Sequence, residues 1–465
     1  MKVGRRGFLT FLGVGSAAAL AGCEGPPESQ DGVDVAAYGA KGDGITDDTE
    51  AIAAAVTAAG AVAREKDRPV PVRLMAGTHV VRLRPQAVDP RIHAAIELPS
   101  RVHLTGAGRG ATVIKLRDGE PVGAGHIVHN AGLRGGDSEI VVSDLTVDGN
   151  GPRQTQLNAG LSFLRASDVA VTRVTVRNVH GTAPFPPGET FHFNLDQCAR
   201  VTYTDCLASG DAGTQGSGFG DNSSTNVNYS GCTASGMSAG MGFTTWHGAC
   251  ISYTGCRAQQ CGANGFNAEV GQDITYAACI AGADASDQTG GYVYGASAGL
   301  GNGGSGFVVN GTRGAVISGG ISRRNRSGIS VISVEGVTGS CQVLGGHYSD
   351  NSSVGIYFDD PGCSRQSRVS AETQVESNGD SNWAVNNGIG PFDRPRLPGP
   401  AQPSGEAVTN PFPFRVAVNL SSPSGATVLL NGVHRLGAAA VVLLGPEDTL
   451  QVDYGTDPGF VWLCA

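Results

Sequence analysis

The sequence predicts an all-β chain: a right-handed parallel β-helix with an N-terminal helical cap and a small C-terminal β-sandwich-like module. Three observations lead there. The pattern V/I-x-Y-x-x-C recurs at Val201-Thr202-Tyr203-Thr204-Asp205-Cys206, 227–232, 251–256 and 274–279, so Cys206, Cys232, Cys256 and Cys279 follow one another at 26, 24 and 23 residues. A second ladder pairs glycine with a large apolar residue at Gly218-Phe219, Gly242-Phe243, Gly265-Phe266, Gly306-Phe307, Gly328-Ile329 and Gly355-Ile356. The 71 glycines among 465 residues follow no G-x-y period, which excludes collagen and points to many tight turns. Units of about 23 residues with three short strands suit a parallel β-helix, in which each coil stacks its strands on the previous one about 4.8 Å away.

Residues 1–23 stand outside the fold. Arg5-Arg6 before Gly7-Phe8-Leu9 and a short apolar run resembles a twin-arginine export signal, too short and glycine-rich for a membrane span. Leu20-Ala21-Gly22-Cys23 resembles a bacterial lipoprotein cleavage site, which implies lipidation at Cys23 and membrane contact through that lipid. The protein is then expected outside the cytoplasmic membrane, anchored at its outer face or in the periplasm or cell surface. Cleavage removes Lys2, Arg5 and Arg6 from a chain whose formal net charge is already −9. That acidity excludes a general nucleic-acid binder, which needs clustered Lys and Arg opposite phosphates. Residues 24–32, polar with two prolines, read as a tether.

The segment Val33-Asp34-Val35-Ala36-Ala37-Tyr38-Gly39-Ala40-Lys41-Gly42-Asp43-Gly44-Ile45-Thr46-Asp47-Asp48-Thr49, followed by Ala51-Ile52, resembles the N-terminal signature of the pectate-lyase-like β-helix superfamily. That superfamily includes polygalacturonase-like hydrolases, polysaccharide lyases, epimerases and phage tailspike-like proteins. The resemblance implies a cap and first coil here, and a protein that acts on or binds a polysaccharide or oligosaccharide. Thr46 is expected to cap a helix over 48–61 whose alanines cover the open end of the stack. Asp43, Asp47 and Asp48 are turn and capping residues in this scheme.

The β-helix is expected over 33–380, with fainter coils at 102–116, 140–147 and 169–179. The interval from Phe266 to Phe307 is long, so 284–304, with Tyr292 and Tyr294, is expected to leave the cylinder as a loop without shifting the strand register. Cys206, Cys232, Cys256 and Cys279 read as an inward column of buried thiols. Cys250 with Cys261 is the candidate disulfide; Cys198, Cys341, Cys363 and Cys464 stay unassigned, and no spacing matches a zinc site. Pro391, Pro395, Pro398, Pro400 and Pro403 mark a spacer over 381–410. Short strand patterns and a hairpin turn at Asn431-Gly432 then suggest a β module over 411–465, in which Trp462 could anchor a contact.

Aligned on the glycine-aromatic ladder, His192-Phe193-Asn194-Leu195-Asp196, Gly218 to Asn222, Gly242 to His247 and Gly265 to Glu269 concentrate carboxylate, amide, indole and imidazole in the middle coils. Between 189 and 311 nine acidic residues face only Arg200 and Arg257, and every lysine lies at or before Lys115. Abstracting a proton beside a uronate needs cations to stabilise the developing enolate, so this composition favours a carboxylate pair acting on a neutral or weakly charged glycan. The expected function is therefore an exported glycoside hydrolase, inverting, with Asp221 as acid, Glu269 as base and Asp196 in support. His192, Asn194, Trp246, His247, Asn267 and Tyr292 are the candidate substrate-binding residues, Trp246 as the stacking platform. No metal or other cofactor is required. The alternatives are a polysaccharide lyase or uronate epimerase using Arg200 or Arg257 and a carboxylate-bound Ca²⁺, and a non-catalytic glycan-binding surface protein.

Overall fold

The computed structural model describes residues 32–464, except 87–88, 121–123, 134–135, 156, 181–189, 212, 215, 283–300, 335, 360, 371, 386–395, 398–402, 413–415, 421–426, 433, 437–440 and 456–459. Cys23 and Tyr292 lie outside the described residues. The strands wind into a right-handed parallel β-helix. One wall is a twelve-stranded sheet running from Arg84–Pro85 and Ile92–Leu98 through Ala124–Asn130, Ala159–Leu164, Phe191–Asp196, Ser217–Asn222, Phe243–Trp246 and Phe266–Glu269 to Ser381–Val385. All its pairings are parallel except that of Arg84–Pro85 with Ile92–Leu98. The other two walls merge into a 22-stranded sheet, because a long strand such as Ser138–Asp148 turns the corner and pairs with both Val102–Thr105 and Thr112–Leu116.

The interior explains the sequence ladders. Phe193, Phe219, Phe243, Phe266 and Phe307 stack with ring centroids 4.6–5.1 Å apart. Tyr203, Tyr229, Tyr253 and Tyr276 stack at 4.7–5.1 Å and meet the phenylalanine column edge to face. Such contacts add to the apolar area already buried. Phe266 pairs directly with Phe307, so the long interval between them leaves the register intact. The glycine of each pair sits at a corner: a Cβ on Gly242 would stand 2.7 Å from Ala258 Cβ and 2.6 Å from Gly265 O. Farther on, Asn302, Asn325, Asn351 and Asn378 bond to one another coil by coil and to the carbonyls of Ala258, Ala281, Ser322 and Tyr348, satisfying a buried turn.

Cys206, Cys232, Cys256 and Cys279 form the buried, unbridged column. The Cys250–Cys261 disulfide does not form. Cys250 is exposed on strand Ala249–Thr254, whereas Cys261 is buried and its thiol donates to Gln259 O.

At the N-terminal end, helix α1 (Thr49–Lys66) buries Ile52, Ala55, Val56, Ala59 and Ala63, one stripe at helical spacing, over the open end of the core. Thr46 does not cap it. Thr46 belongs to strand Asp43–Asp47 and bonds to Asp43, while Asp47 accepts from Thr49 N and Oγ1. Asp48 is the buried hub: it accepts from Lys41 N and Gly42 N and from His79 Nδ1 at 2.7 Å. At the far end the last coil reaches Val385, and Arg396–Leu397 and Ala407–Thr409 join the C-terminal module inside the stretch expected as spacer. That module consists of two four-stranded antiparallel sheets, and Trp462 is buried in its core.

Removing the Asp48 carboxylate orphans two backbone donors and an imidazole at once. Asp48→Ala should lower unfolding free energy by about 3–5 kcal/mol in denaturant titration, and adding His79→Ala should cost much less than its single-mutant effect. Additive losses would contradict a shared hub.

Candidate functional site

In the strands of this wall from Ile92–Leu98 to Val354–Phe358 two consecutive residues point inward, the corner residue and the large apolar residue after it. Consequently the residues just before and two after the corner both face outward. Outward groups in register, one per coil, are Glu97, His129, Ser162, Asn194, Gly220, Thr244 and Asn267. A parallel outward row holds Leu164, Asp196, Asn222, Trp246 and Glu269. Leu195, Asp221, Thr245 and Ala268 form an inward row between these two.

This frame separates the expected carboxylate pair. Asp221 points into the core, 1% exposed; Ser224 N donates to its Oδ1, and its Oδ2 has no partner. Burial, helped by Asp196, pushes its carboxyl up to about 6 against the Ser224 hydrogen bonds. It cannot protonate a glycan outside the wall. Glu269 faces outward, three coils from Asp196, or about 14 Å along the stack, beyond the separation of about 6.5–9.5 Å that an inverting pair uses. Each is tied to its neighbour between them: Asn222 Nδ2 donates to Asp196 at 3.1 Å, and Trp246 Nε1 donates to Glu269 at 2.9 Å.

His192 occupies the corner that glycine takes in later coils. It is fully buried with its ring nitrogens toward Ser217 O and Ser209 O, and burial pushes it down to about 4, so it is no surface hydroxyl ligand. Asn194 Nδ2 donates to Ser162 Oγ, and Asn267 Nδ2 to Thr244 Oγ1. His247 is exposed in a left-handed turn after the strand that carries Trp246. Phe191 lies over Gly220, where a Cβ would stand 2.3 Å from its ring, and meets Trp246 edge to face at 6.3 Å. Phe191 and Glu269 thus fix the indole plane from two sides.

The sequence reading missed the N-terminal end of this face. His126 and His129 touch edge to face at 4.7 Å, and Glu97 is in register with His129 on the next coil. His129 Nδ1 donates to Asn130 O at 2.8 Å, leaving Nε2 with the lone pair, and burial pushes the ring down to about 4. Burial raises Glu97, with Arg84 pulling the other way. Aligning His126-Ile127-Val128-His129 on the corner frame would have revealed both imidazoles as outward. Arg200 and Arg257, the cations of the lyase alternative, instead lie on strands of the other sheet, Arg200 paired with Asp168. Among the described residues no group of three or more His, Cys, Asp or Glu is arranged to hold a metal ion.

The family model described as rhamnogalacturonase A/epimerase, pectate lyase-like, matches residues 32–267. The chain belongs to this family. Members of the pectate-lyase-like superfamily act on or bind polysaccharides, and the neighbours here span epimerases, lyases and phage proteins. The pre-neck appendage protein of Bacillus phage phi29 is 31% identical over 231 residues, 49% of this chain and 23% of that protein. The mannuronan C5-epimerase AlgE2 of Azotobacter vinelandii is 34% identical over 165 residues, 34% of this chain and 16% of that protein. The chain thus spans less than a quarter of either relative. Among solved structures, the A-module of the Azotobacter vinelandii mannuronan C5-epimerase AlgE4 matches at TM-score 0.53 and 20% identity, covering 77% of this chain and 98% of that one, a likeness of fold.

The buried acid gives a signed pH test. Its folded pKa lies above the unfolded value near 3.8, so the destabilisation is absent below pH 3.8, grows to about 3 kcal/mol by pH 6 and stays constant above. Asp221→Asn should therefore raise thermal stability at pH 8 and have little effect at pH 3.5. Equal effects at both pH values would show that the carboxylate carries no burial cost.

Proposed function

We propose that this family member binds an extended polysaccharide along the outer face of the twelve-stranded wall and acts on it as a lyase or epimerase rather than as a carboxylate-pair hydrolase. The observation that carries this reading is the inward position of Asp221, which removes it as the partner of Glu269 on the outer face. The same face brings an arginine, Arg84, beside Glu97 and a neutral imidazole, His129, whose Nε2 can accept a proton. A cation next to a proton acceptor is the combination that uronate chemistry needs. Counting charges only over 189–311 left Arg84 out. A non-catalytic glycan-binding role is the second reading, favoured by the fixed Phe191–Trp246–Glu269 group, which is built as a platform. The export and lipid anchoring implied by residues 1–23 belong to the proposal too, and place the protein where such polymers occur.

Mass analysis of a broad glycan panel after incubation separates these readings. Unsaturated fragments without water gain identify a lyase, unchanged mass with altered uronate stereochemistry an epimerase, and cleavage with water gain overturns the proposal. Binding with no product supports the second reading.

Glu269 in this scheme orients Trp246. Glu269→Gln, whose amide oxygen still accepts from the indole, should keep binding and turnover within about twofold, whereas Trp246→Ala should weaken glycan binding about tenfold or more. A loss of 10² or more in turnover for Glu269→Gln would restore it as a proton carrier. For the anchor, metabolic lipid labelling should mark the wild type and not Cys23→Ala; an unlabelled wild type refutes lipidation.

A further inference from the structure

Strand register lines up four thiols along the axis of the β-helix. Thr204 is set against Ser230, Ser230 against Thr254 and Thr254 against Ala277, while Leu207, Thr233, Arg257 and Ile280 follow one another in the same way. Cys206, Cys232, Cys256 and Cys279, between those strands, therefore stand in register on four successive coils. The same register bounds the column with Val174 before Cys206 and Gly320 after Cys279. The thiols lean along the axis: Cys256 Sγ donates to Tyr229 O at 3.5 Å and Cys279 Sγ to Tyr253 O at 3.4 Å, each a carbonyl of the coil before. Cys232 interacts with the thiols of both Cys206 and Cys256, and Cys256 with that of Cys279. Coils about 4.8 Å apart place successive Cα atoms inside the window of about 4.4–6.8 Å that a disulfide spans. Other cysteines are placed differently: Cys198 N meets Ser224 Oγ, Cys341 is paired with Ala315, and Cys250 is exposed.

We propose that this column is a disulfide site whose state is set while the chain folds: folding in an oxidising compartment closes Cys206–Cys232 and Cys256–Cys279, and folding in a reducing one keeps the four thiols. Only neighbours in the column can bridge, and four in a row pair completely in one way. The other adjacent bridge, Cys232–Cys256, strands Cys206 and Cys279 three coils, or about 14 Å, apart. Closure draws each pair of Cβ atoms from about 4.8 Å to about 4 Å. In each bridge two thiols give up two protons and two electrons to a small-molecule or protein disulfide, which leaves as two thiols, and one S–S bond forms as another breaks. The attacking species is the thiolate. In the folded chain the four thiols are at most 1% exposed, and burial raises Cys206 well above the ordinary thiol value. Exchange is thus confined to the open chain, and the state reached at folding persists. Each bridge ties one coil to the next across 26 or 23 residues of chain. Under the export proposed above, the side of the membrane on which the chain folds decides the state. The inference does not depend on the polysaccharide reading.

The test is cell-free synthesis of the full chain in a glutathione redox buffer and, separately, in dithiothreitol, followed by alkylation in denaturant and non-reducing peptide mapping by mass spectrometry. In the redox buffer the Cys206 and Cys232 peptides should be joined, as should those of Cys256 and Cys279, each pair lighter by two hydrogens. In dithiothreitol all four should be alkylated. Folded reduced protein moved into the redox buffer without denaturant should stay unbridged in the column. Four free thiols after synthesis in the redox buffer overturn the proposal, as do bridges from the column to Cys198, Cys250 or Cys261. Bridging of the already folded reduced protein overturns the assignment to folding. Two double variants test adjacency: Cys206→Ala with Cys279→Ala leaves Cys232 beside Cys256, which should bridge, whereas Cys206→Ala with Cys256→Ala leaves Cys232 and Cys279 two coils, or about 10 Å, apart, which should not. The reverse result overturns the column as the determinant, and the wild-type map decides the proposal even where a variant fails to fold.

Discussion

The structure depends on vertical register. Every coil lies about 4.8 Å above the last, so a side chain that fits one coil must fit against its counterpart above and below. Like groups therefore stack on like: five phenylalanines, four tyrosines, four cysteines and four asparagines each form a column along the axis. Aromatic rings at 4.6–5.1 Å nearly match the strand repeat, so stacking asks little adjustment of the backbone. The corner glycines follow from the same constraint, since the space between adjacent walls is taken by Ala208, Ala234, Ala258 and Ala281.

Register also governs the functional face. With two successive inward residues at each corner, simple strand alternation fails, and a residue's side of the wall is set by its distance from the corner. Asp221 and Asn222 are neighbours in sequence and lie on opposite sides of the sheet. Glu269 shares its row with Trp246 and Asn222, never with Asp221. A polar residue turned inward is costly in a stack this regular, and among the described residues Asp221 is met there by Ser224.

The outer face divides into two parts. Around the middle coils Phe191, Trp246 and Glu269 make a rigid aromatic group. Toward the helical cap lie Arg84, Gln86, Glu97, His126 and His129, where charge and unmatched polar atoms collect. In the proposed binding mode an extended chain crosses successive coils and meets the first part through ring stacking. Family membership accounts for the scaffold and for the polysaccharide-acting character of the superfamily, while chemistry resides in particular side chains.

The sequence by itself determined the β-helix, its cap and the identity of its interior columns, because those features repeat and a repeat is visible in one dimension. Val201 to Cys206 and its three successors announce a buried strand whichever way the chain coils. The first two parallel coils of the twelve-stranded wall, Ile92–Leu98 and Ala124–Asn130, lack a glycine at the corner and so escaped notice, and His126 and His129 with them. Only the tertiary structure decided which residues share a face. Arg84 and His126 are 42 positions apart and become neighbours across Ala94 through strand pairing, while Asp221 and Glu269, chosen for their chemistry, are parted by a single residue of phase. Facing depends on where the backbone turns its corner, a property of three packed walls that no local pattern of residues encodes.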